Sequence, residues 1–346
     1  GLVYVAEEGN TSTGEAMRIS VFDVNGNYLQ SFGQRGTNGD NGAFFERPHS
    51  VAVSPDGTIY VADTWNYLIR GFNLDFTPVV TWGQPFSAGI DAPQEPVTGF
   101  WGPRDVVVDN NGRVYVADTG NKRIRVYTGD GQFLLDIGTG GSGPGQLDEP
   151  AGIAVHPDGR VFVADTWNRR VSVFNADGAY TMSFDVRGWA SEPIGRPYLA
   201  VDAERDIVYV TDPDVGRVLV YDTQGNCVGA FGQFNAEFPD STQFSGLGGI
   251  AVDQNGNVYV ADTASGRILR FAPFPLPIPS EAVPEEGVND GGAPVVVDPL
   301  QGGAVDALAD QIEVTDEPIP PDDSNAIELD IPEATDEPEV TDEVSD

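Results

Sequence analysis

The sequence predicts an all-β protein, a six-bladed β-propeller made of four-stranded antiparallel blades. Three observations carry this prediction: a short phrase that recurs six times, tight turns at fixed places around it, and a lack of any 3.6-residue apolar periodicity. Gly (42) and Pro (26) together make up nearly a fifth of the 346 residues. That composition favours many turns over long helices.

The recurring phrase is Tyr-Val-Ala-Asp or a close variant of it. Its copies begin 47 to 56 residues apart, at Tyr4, Tyr60, Tyr115, Phe162, Tyr209 and Tyr259. A unit of about 40–50 residues that contains several short strands is typical of propeller blades. The sequence therefore predicts six blades, one for each copy.

Each full unit is predicted to contain four strands joined by tight turns. In the clearest unit the strands cover residues 152–155, 162–165, 170–174 and 180–184, with turns at Pro157-Asp158-Gly159 and Ala176-Asp177-Gly178. Asp-Gly and Asn-Gly dipeptides supply the positive φ angles that such hairpins require. The first strand is apolar on successive residues, which suits a strand covered on both faces near a central axis.

The run Gly-Ile-Ala-Val, Pro-Asp-Gly, Val-Ala-Asp-Thr-x-Asn-x-Arg-Val resembles the NHL repeat. Residues 151–171 match it nearly throughout, and residues 105–124 and 248–268 also match well. The resemblance implies a six-bladed NHL-type propeller over residues 1–273. It does not imply an activity, because one scaffold can host unrelated functions.

Two blades are predicted to be incomplete. Blade 1 lacks an innermost strand, and blade 6 lacks an outermost strand after Phe271. One hypothesis is that residues 294–299 (Pro-Val-Val-Val-Asp-Pro) supply the missing inner strand and close the ring. The alternative is a strand that lies upstream of Gly1, and the sequence leaves both open.

The remaining segment, residues 274–346, is rich in Pro, Glu, Asp and Thr and contains 21 acidic residues but no Lys or Arg. Such a composition cannot bury enough apolar surface to offset the entropy of ordering, so we expect a disordered acidic spacer. Removing those 21 charges from the net charge of −36 leaves −15 for the propeller. A nucleic-acid partner is therefore disfavoured, because phosphate backbones are bound by basic surfaces.

The sequence contains no run of about 18 apolar residues, which is the length that a membrane-spanning helix requires, so we expect no direct membrane insertion. The single cysteine, Cys227, cannot form an internal disulfide. The composition of the tail favours an extracellular or bacterial cell-surface protein, and we expect a monomer.

The aspartates that end the repeated phrase are the most regular polar series. They are Asp63, Asp118, Asp165, Asp212 and Asp262. A ring of carboxylates could bind a cation, but an Asn and an Arg follow at short spacing in most blades, and these can pair with the Asp. We therefore interpret the series as turn architecture, and we predict no metal site and no cofactor.

A catalytic site is not evident, and we lean against an enzyme. NHL-type amidating lyases hold zinc with several histidines, whereas this chain has only His49 and His156. Propeller lactonases use acidic and amide side chains around a divalent metal, and no such set stands out. A metal-dependent lyase or lactonase acting in the central channel stays the alternative function.

The loop face is the face that carries the turns between second and third strands and the links between blades. Four of the five tryptophans fall in these loops: Trp65, Trp101, Trp167 and Trp189. His49, Arg104 and Tyr198 lie near the axis, where first strands begin. Exposed aromatics anchor protein and sugar ligands, although each Trp could instead cover a neighbouring blade. The leading hypothesis is a non-enzymatic module that binds a protein, peptide or glycan with these seven residues.

Overall fold

The computed structural model describes residues 1–9, 17–35, 44–85, 99–186, 189, 195–235 and 242–275. Within these residues, 22 strands form six antiparallel sheets arranged as the blades of a propeller. The predicted all-β, six-bladed architecture is confirmed.

From the axis outward, each blade is a simple meander in chain order. Blade 1 contains Leu2–Glu7, Arg18–Asp23 and Tyr28–Phe32; blade 2 contains Pro48–Val53, Ile59–Asp63, Leu68–Phe72 and Pro78–Pro85; blade 3 contains Pro103–Val108, Val114–Asp118, Arg123–Tyr127 and Phe133–Ile137; blade 4 contains Pro150–Val155, Val161–Asp165, Arg170–Phe174 and Tyr180–Asp185; blade 5 contains Leu199–Asp202, Ile207–Asp212, Arg217–Asp222 and Cys227–Phe231; blade 6 contains Leu247–Val252, Val258–Asp262 and Arg267–Phe271.

The links between blades carry short parallel ladders, and two of the turns within blades are 3-10 turns. The paired segments are Gln34–Arg35 with Phe44–Phe45, Gln84–Pro85 with Gly99–Phe100, Thr139–Gly140 with Gln146–Leu147, and Gln233–Phe234 with Gln243–Phe244. The 3-10 turns, Thr64–Asn66 and Thr119–Asn121, follow the second strands of blades 2 and 3.

The tight turns form because side-chain acceptors replace missing backbone partners. In blade 3, Asp109 Oδ1 accepts hydrogen bonds from the backbone N–H groups of Asn111 and Arg113, each at 2.9 Å. Gly112 occupies the left-handed position of that turn with φ of 77°. The Asn-Gly and Asp-Gly signals therefore become turns for the expected reason.

The core is divided into five apolar clusters, and each lies between two neighbouring blades from 1 to 6. In four of these clusters, one fully buried apolar side chain from a link packs between the two blades. These side chains are Phe45, Phe100, Leu147 and Phe244. Burying a Leu or Phe side chain stabilises a fold by about 1.5–3 kcal/mol. The links therefore contribute to packing as well as connecting blades.

Blade 1 differs from the others because its innermost described strand, Leu2–Glu7, carries the repeated phrase and so corresponds to a second strand. Its inner edge pairs with no other described strand. Val3 and Val5 instead line a central cavity of about 530 Å³ together with Ala261 of blade 6. The segment predicted to complete this blade, 294–299, lies outside the described residues. The predicted spacer also lies outside them from residue 276 onward.

Candidate functional site

The aspartates that end the second strands are buried beneath the loop face, and each forms an ion pair within its own blade. The Nε-to-Oδ2 distances are 2.6 Å for Asp63–Arg70, 2.9 Å for Asp118–Arg123, 2.7 Å for Asp165–Arg170, 3.0 Å for Asp212–Arg217 and 3.1 Å for Asp262–Arg267. Breaking a buried pair of this kind is costly because one charge is left without a partner.

In four blades the second carboxylate oxygen also holds the preceding link. It accepts a hydrogen bond from the backbone N–H that lies 17 residues earlier, at Glu46, Trp101, Asp148 and Ser245. In blade 5, Asp212 Oδ1 is buried and has no hydrogen-bond partner among the described residues. The link there is tied instead by Gly195, whose N–H donates to Asp214 Oδ1 at 3.1 Å.

Trp65 and Trp167 lie in the turns that follow the second strands of blades 2 and 4. The backbone N–H of Trp65 donates to the carbonyl of Glu46 at 3.0 Å, and that of Trp167 to the carbonyl of Asp148 at 3.1 Å. Their side chains are 43% and 49% exposed. A fixed backbone therefore presents each indole ring to solvent on the loop face.

Trp101 is fixed in a similar way and is 45% exposed. Its N–H donates to Asp118 Oδ1 at 2.8 Å, and its carbonyl accepts from the N–H of Gly120 at 2.9 Å. The indole lies against Gly120, where a Cβ atom would come within 1.6 Å of Trp101 Cδ1. Its ring is also 6.1 Å from the ring of Tyr67, measured between centroids. The absence of a side chain at Gly120 makes room for the indole.

Trp189 does not share this exposure, which corrects the expectation of four solvent-facing indoles. It is only 5% exposed and packs in the cluster between blades 4 and 5, with Val186, Leu199 and Val210 among its members. Its Nε1 has no hydrogen-bond partner among the described residues. The alternative interpretation, in which a link Trp covers a neighbouring blade, describes Trp189.

His49 and Tyr198 line the central cavity, and Arg104 is near enough to influence the pKa of both side chains. Burial, followed by the positive charges of Arg104, Arg47 and Arg196, lowers the pKa of His49 to about 3, so its ring is neutral at pH 7. Burial also raises the pKa of Tyr198, with Asp105 adding to that shift.

Sequence reasoning missed four charged residues of this group: Glu8, Arg47, Glu149 and Arg196. Arg47 pairs with Glu8 at 3.3 Å, and Arg196 pairs with Glu149 at 3.6 Å. His49 Nε2 lies 3.4 Å from Glu8 Oε2. The signal that could have found three of them is a charged residue immediately before the proline near the start of a first strand.

Two of these residues also adopt an unusual backbone. Arg47 and Glu149 have φ of 53° and 51°, whereas blade 3 places Gly102 at the corresponding position with φ of 63°. A non-glycine residue in the left-handed region carries a steric cost, so charged side chains occupy positions where glycine would fit more easily.

Asp105 lies deeper in the channel and is buried. Its Oδ1 accepts a hydrogen bond from Ser50 Oγ at 2.6 Å, and its Oδ2 accepts one from the N–H of Ile153 at 2.7 Å. These bonds tie three inner strands together. Burial raises the pKa of Asp105 to about 6.

Within the described part of the chain, no group of three or more His, Cys, Asp or Glu side chains is placed to hold a metal ion. No helix among the same residues is long and apolar enough to cross a membrane.

A family model of the NHL repeat matches residues 45–72, 100–127, 147–174 and 244–271. A search of curated proteins found no match to this sequence. A solved structure of a protein of unknown function from Bacteroides caccae is 14% identical with a TM-score of 0.52, and the alignment covers 75% of this chain and 82% of that one.

Two antibiotic-lyase structures are less similar. For streptogramin B lyase the identity is 14%, the TM-score 0.47 and the coverage 65% of each chain, so this chain spans less than two thirds of that protein. For a catalytically inactive virginiamycin B lyase from Staphylococcus aureus with quinupristin, the identity is 13%, the TM-score 0.48 and the coverage 78% of this chain and 84% of that one. Identities this low speak to fold alone. The matches and the six sheets together show a six-bladed β-propeller that contains four NHL repeats.

Proposed function

We propose that this propeller is a recognition module that binds a protein or peptide partner on its loop face. The NHL propeller fold supports a recognition or scaffold role. The observation that carries the proposal is the set of three half-exposed tryptophans on one face, Trp65, Trp101 and Trp167, each with its backbone hydrogen-bonded in place.

Tryptophan is enriched among the residues that dominate binding energy at protein interfaces. A rigid backbone reduces the entropy lost on binding, so more of the contact energy appears as affinity. The three rings belong to blades 2, 3 and 4, which spreads them over adjacent parts of the face. A peptide or a protein surface can contact several of them at once.

The experiment is a selection of phage-displayed random peptides on the immobilised full chain, followed by titration of the selected peptides. We expect Trp65→Ala and Trp101→Ala each to weaken binding by at least tenfold. Leu134→Ala, which removes an equally exposed apolar side chain from an outer strand, is the matched control and should leave affinity unchanged.

A further variant tests whether binding depends on the position of the Trp101 indole and not only on its presence. In Gly120→Ala the new methyl group must displace the Trp101 indole, so peptide affinity should fall although every Trp is retained. Peptides that bind the Trp variants as well as the parent chain would reject this surface. Failure to select any peptide, together with Trp-dependent binding to a glycan array, would replace the protein partner by a carbohydrate.

A further inference from the structure

The interface between blade 6 and blade 1 lacks the apolar packing that joins the other blades. The five apolar clusters follow the ring from blade 1 to blade 6, and the described residues form no further cluster where blade 6 meets blade 1. The central cavity of about 530 Å³ reaches into this interface, because it is lined by Ala261 and Ile268 from the second and third strands of blade 6. Blade 6 therefore forms one side of a gap in the ring.

Ala261 and Ile268 are only half-buried, although the same two positions are fully buried in blades 2, 3 and 4. The residues at these positions are Ala62 and Ile69, Ala117 and Ile124, and Ala164 and Val171. Each pair belongs to the cluster that its blade shares with the next blade. Blade 6 therefore presents to blade 1 an apolar surface that the described residues cover only in part.

Blade 1 forms the other side of the gap through Val3 and Val5, which line the cavity and are half-buried. The residues at their positions in blades 2, 3 and 4 are Ile59 and Val61, Val114 and Val116, and Val161 and Val163. Each of these pairs is fully buried in the cluster that its blade shares with the preceding blade. In blades 3 and 4 the first strand joins that cluster through Val106 and Ile153. Both sides of the gap thus lack the cover that a first strand of blade 1 would supply.

A hydrogen bond at the loop face marks the same missing strand. Thr64 Oγ1 of blade 2 donates to the carbonyl of Pro103 at 2.7 Å. Thr119 Oγ1 of blade 3 donates to the carbonyl of Pro150, also at 2.7 Å. Each of these prolines begins the first strand of the next blade. Thr263 holds the same position in blade 6, but it is exposed and its Oγ1 donates within its own link.

Residues 294–299 have the sequence of a first strand. The run Val-Val-Val-Asp at 295–298 repeats the run at 106–109, where the first strand of blade 3 ends and its turn begins. A proline comes next, as it does after the first strands of blades 2 and 4. No other part of residues 276–346 contains three consecutive β-branched residues, which favour strands. The segment therefore matches the missing strand better than any other part of the tail.

The segment is also within reach of the gap. Pro294 follows Pro275, the last described residue, by 19 positions. An extended chain spans about 3.5 Å per residue, so this length reaches roughly 60 Å. A compact domain of about 270 residues has a radius of gyration of about 19 Å. The connection is therefore long enough to return to the axis from any point on the propeller.

We propose that residues 294–299 form the innermost strand of blade 1, antiparallel to Leu2–Glu7, and close the ring against blade 6. The segment supplies backbone partners to the open inner edge of blade 1 and apolar side chains to the gap. An innermost strand pairs on one side only, so it tolerates the prolines at its two ends. This closure does not depend on a partner at the loop face.

Blade 3 provides the register for this strand. Val106, the first valine of its run, lies opposite Val116 and packs in the cluster toward the preceding blade. Val116 corresponds to Val5 in the repeated phrase, so Val295 lies opposite Val5. By the same correspondence Val295 faces blade 6 and fills the gap beside Ala261.

The closure also decides where the rest of the tail leaves the propeller. First strands begin at the loop face and end at the turns on the opposite face. A first strand at 294–299 therefore directs residues 300–346 away from the loop face. The acidic segment then leaves the surface with Trp65, Trp101 and Trp167 open to a partner.

A pair of engineered cysteines in the full chain tests the register, with Cys227→Ser removing the natural thiol. Residues directly opposite on antiparallel strands are close enough for a disulfide. We expect Val5→Cys with Val295→Cys to form an intrachain disulfide on mild oxidation at least tenfold faster than the control, Val5→Cys with Val314→Cys. Mass spectrometry of the non-reduced, proteolysed chain identifies the bond. Equal rates would overturn the proposal, and so would a disulfide that forms between two chains instead of within one.

A second measurement tests whether the strand stabilises the ring. Val295→Asp places a charge in the gap and should lower the thermal unfolding midpoint of the full chain by about 5 °C or more. Val340→Asp makes the same change elsewhere in the tail and should leave the midpoint unchanged. An unchanged midpoint in Val295→Asp would overturn the closure even if the disulfide forms.

Discussion

Trp101 and Trp189 occupy comparable links between blades, and the protein uses them in opposite ways. In the link to blade 3, Phe100 is fully buried between the blades, and the next residue, Trp101, stays outside. In the link to blade 5, Trp189 itself is the aromatic side chain buried between the blades. Trp101 is exposed where Phe100 already fills the interface, and Trp189 is buried in the interface between blades 4 and 5.

The aspartates beneath the two links, Asp118 and Asp212, also differ in the hydrogen bonds that they accept from the link. Asp118 accepts a hydrogen bond from the backbone of Trp101, whereas Asp212 Oδ1 accepts none from the described residues of its link. The link to blade 3 is therefore held by Asp118 and presents its indole, whereas the link to blade 5 is held by Asp214 through the N–H of Gly195 and buries its indole. The following predictions test that contrast.

The largest effect is expected for Trp189→Ala, which should lower the free energy of unfolding by about 3–5 kcal/mol because it opens a cavity between blades 4 and 5. Trp189→Phe should cost much less, because the plug is retained and the unpaired indole N–H is removed. Trp167→Ala is the exposed control. Denaturant unfolding measures all three, and equal losses for Trp167→Ala and Trp189→Ala would contradict the assignment of Trp189 to the core.

Next comes the pair of aspartates. Asp118→Ala should lower the free energy of unfolding by about 3 kcal/mol, because it removes a partner of Arg123 and the acceptor for the N–H of Trp101. Asp212→Ala should cost about 1 kcal/mol less, because no N–H among the described residues of its link donates to Asp212 Oδ1. Only Asp118→Ala should also change the fluorescence of Trp101, which can be isolated by comparison with Trp101→Phe. Equal costs for the two variants would show that the link hydrogen bond contributes nothing.

The smallest effect concerns the first strands to which the two links lead. Blade 3 buries Asp105, with a pKa of about 6, whereas the first strand of blade 5 has no bulge and its buried carboxylate, Asp202, is the last residue of the strand. The folded state binds the proton more tightly than the unfolded state, whose Asp pKa is about 3.9. Asp105 therefore destabilises the fold progressively as pH rises from about 4, and the effect levels off above pH 6.

The measurable consequence is a difference between two unfolding curves. Between pH 4.5 and 6, the stability of the parent chain should fall by about 1.5 kcal/mol relative to Asp105→Asn, in which the amide can keep both hydrogen bonds. A constant difference across this range would mean that Asp105 titrates normally. A rise in the stability of the parent chain relative to Asp105→Asn would mean that the folded state stabilises the ionised carboxylate.

Much of the fold could be predicted because its determinants are local. The repeated phrase, the Asn-Gly and Asp-Gly turns and the apolar first strands recur with each blade, and the structure has strands and turns at those places. The pairing of each Asp with an Arg five to seven residues later also follows from spacing on adjacent antiparallel strands.

The candidate site was predictable only in part. Trp65 and Trp167 follow a turn signal, so their outward position follows from the local backbone. The positions of Trp101 and Trp189 depend on which side chains from two separate blades fill the space between them. No local pattern in either link distinguishes the two outcomes.

The sequence by itself determined the number of blades, the order of their strands and the residues at each turn, because these depend on periodicity and turn chemistry. Only the tertiary structure decided which tryptophans face solvent and brought Glu8, Arg47, Arg104, Glu149 and Arg196 together at the axis. Residues about 190 positions apart in the chain become neighbours there because the ring brings the starts of the first strands to one point. Burial and net charge at that point are properties of the assembled ring, and no single repeat contains them.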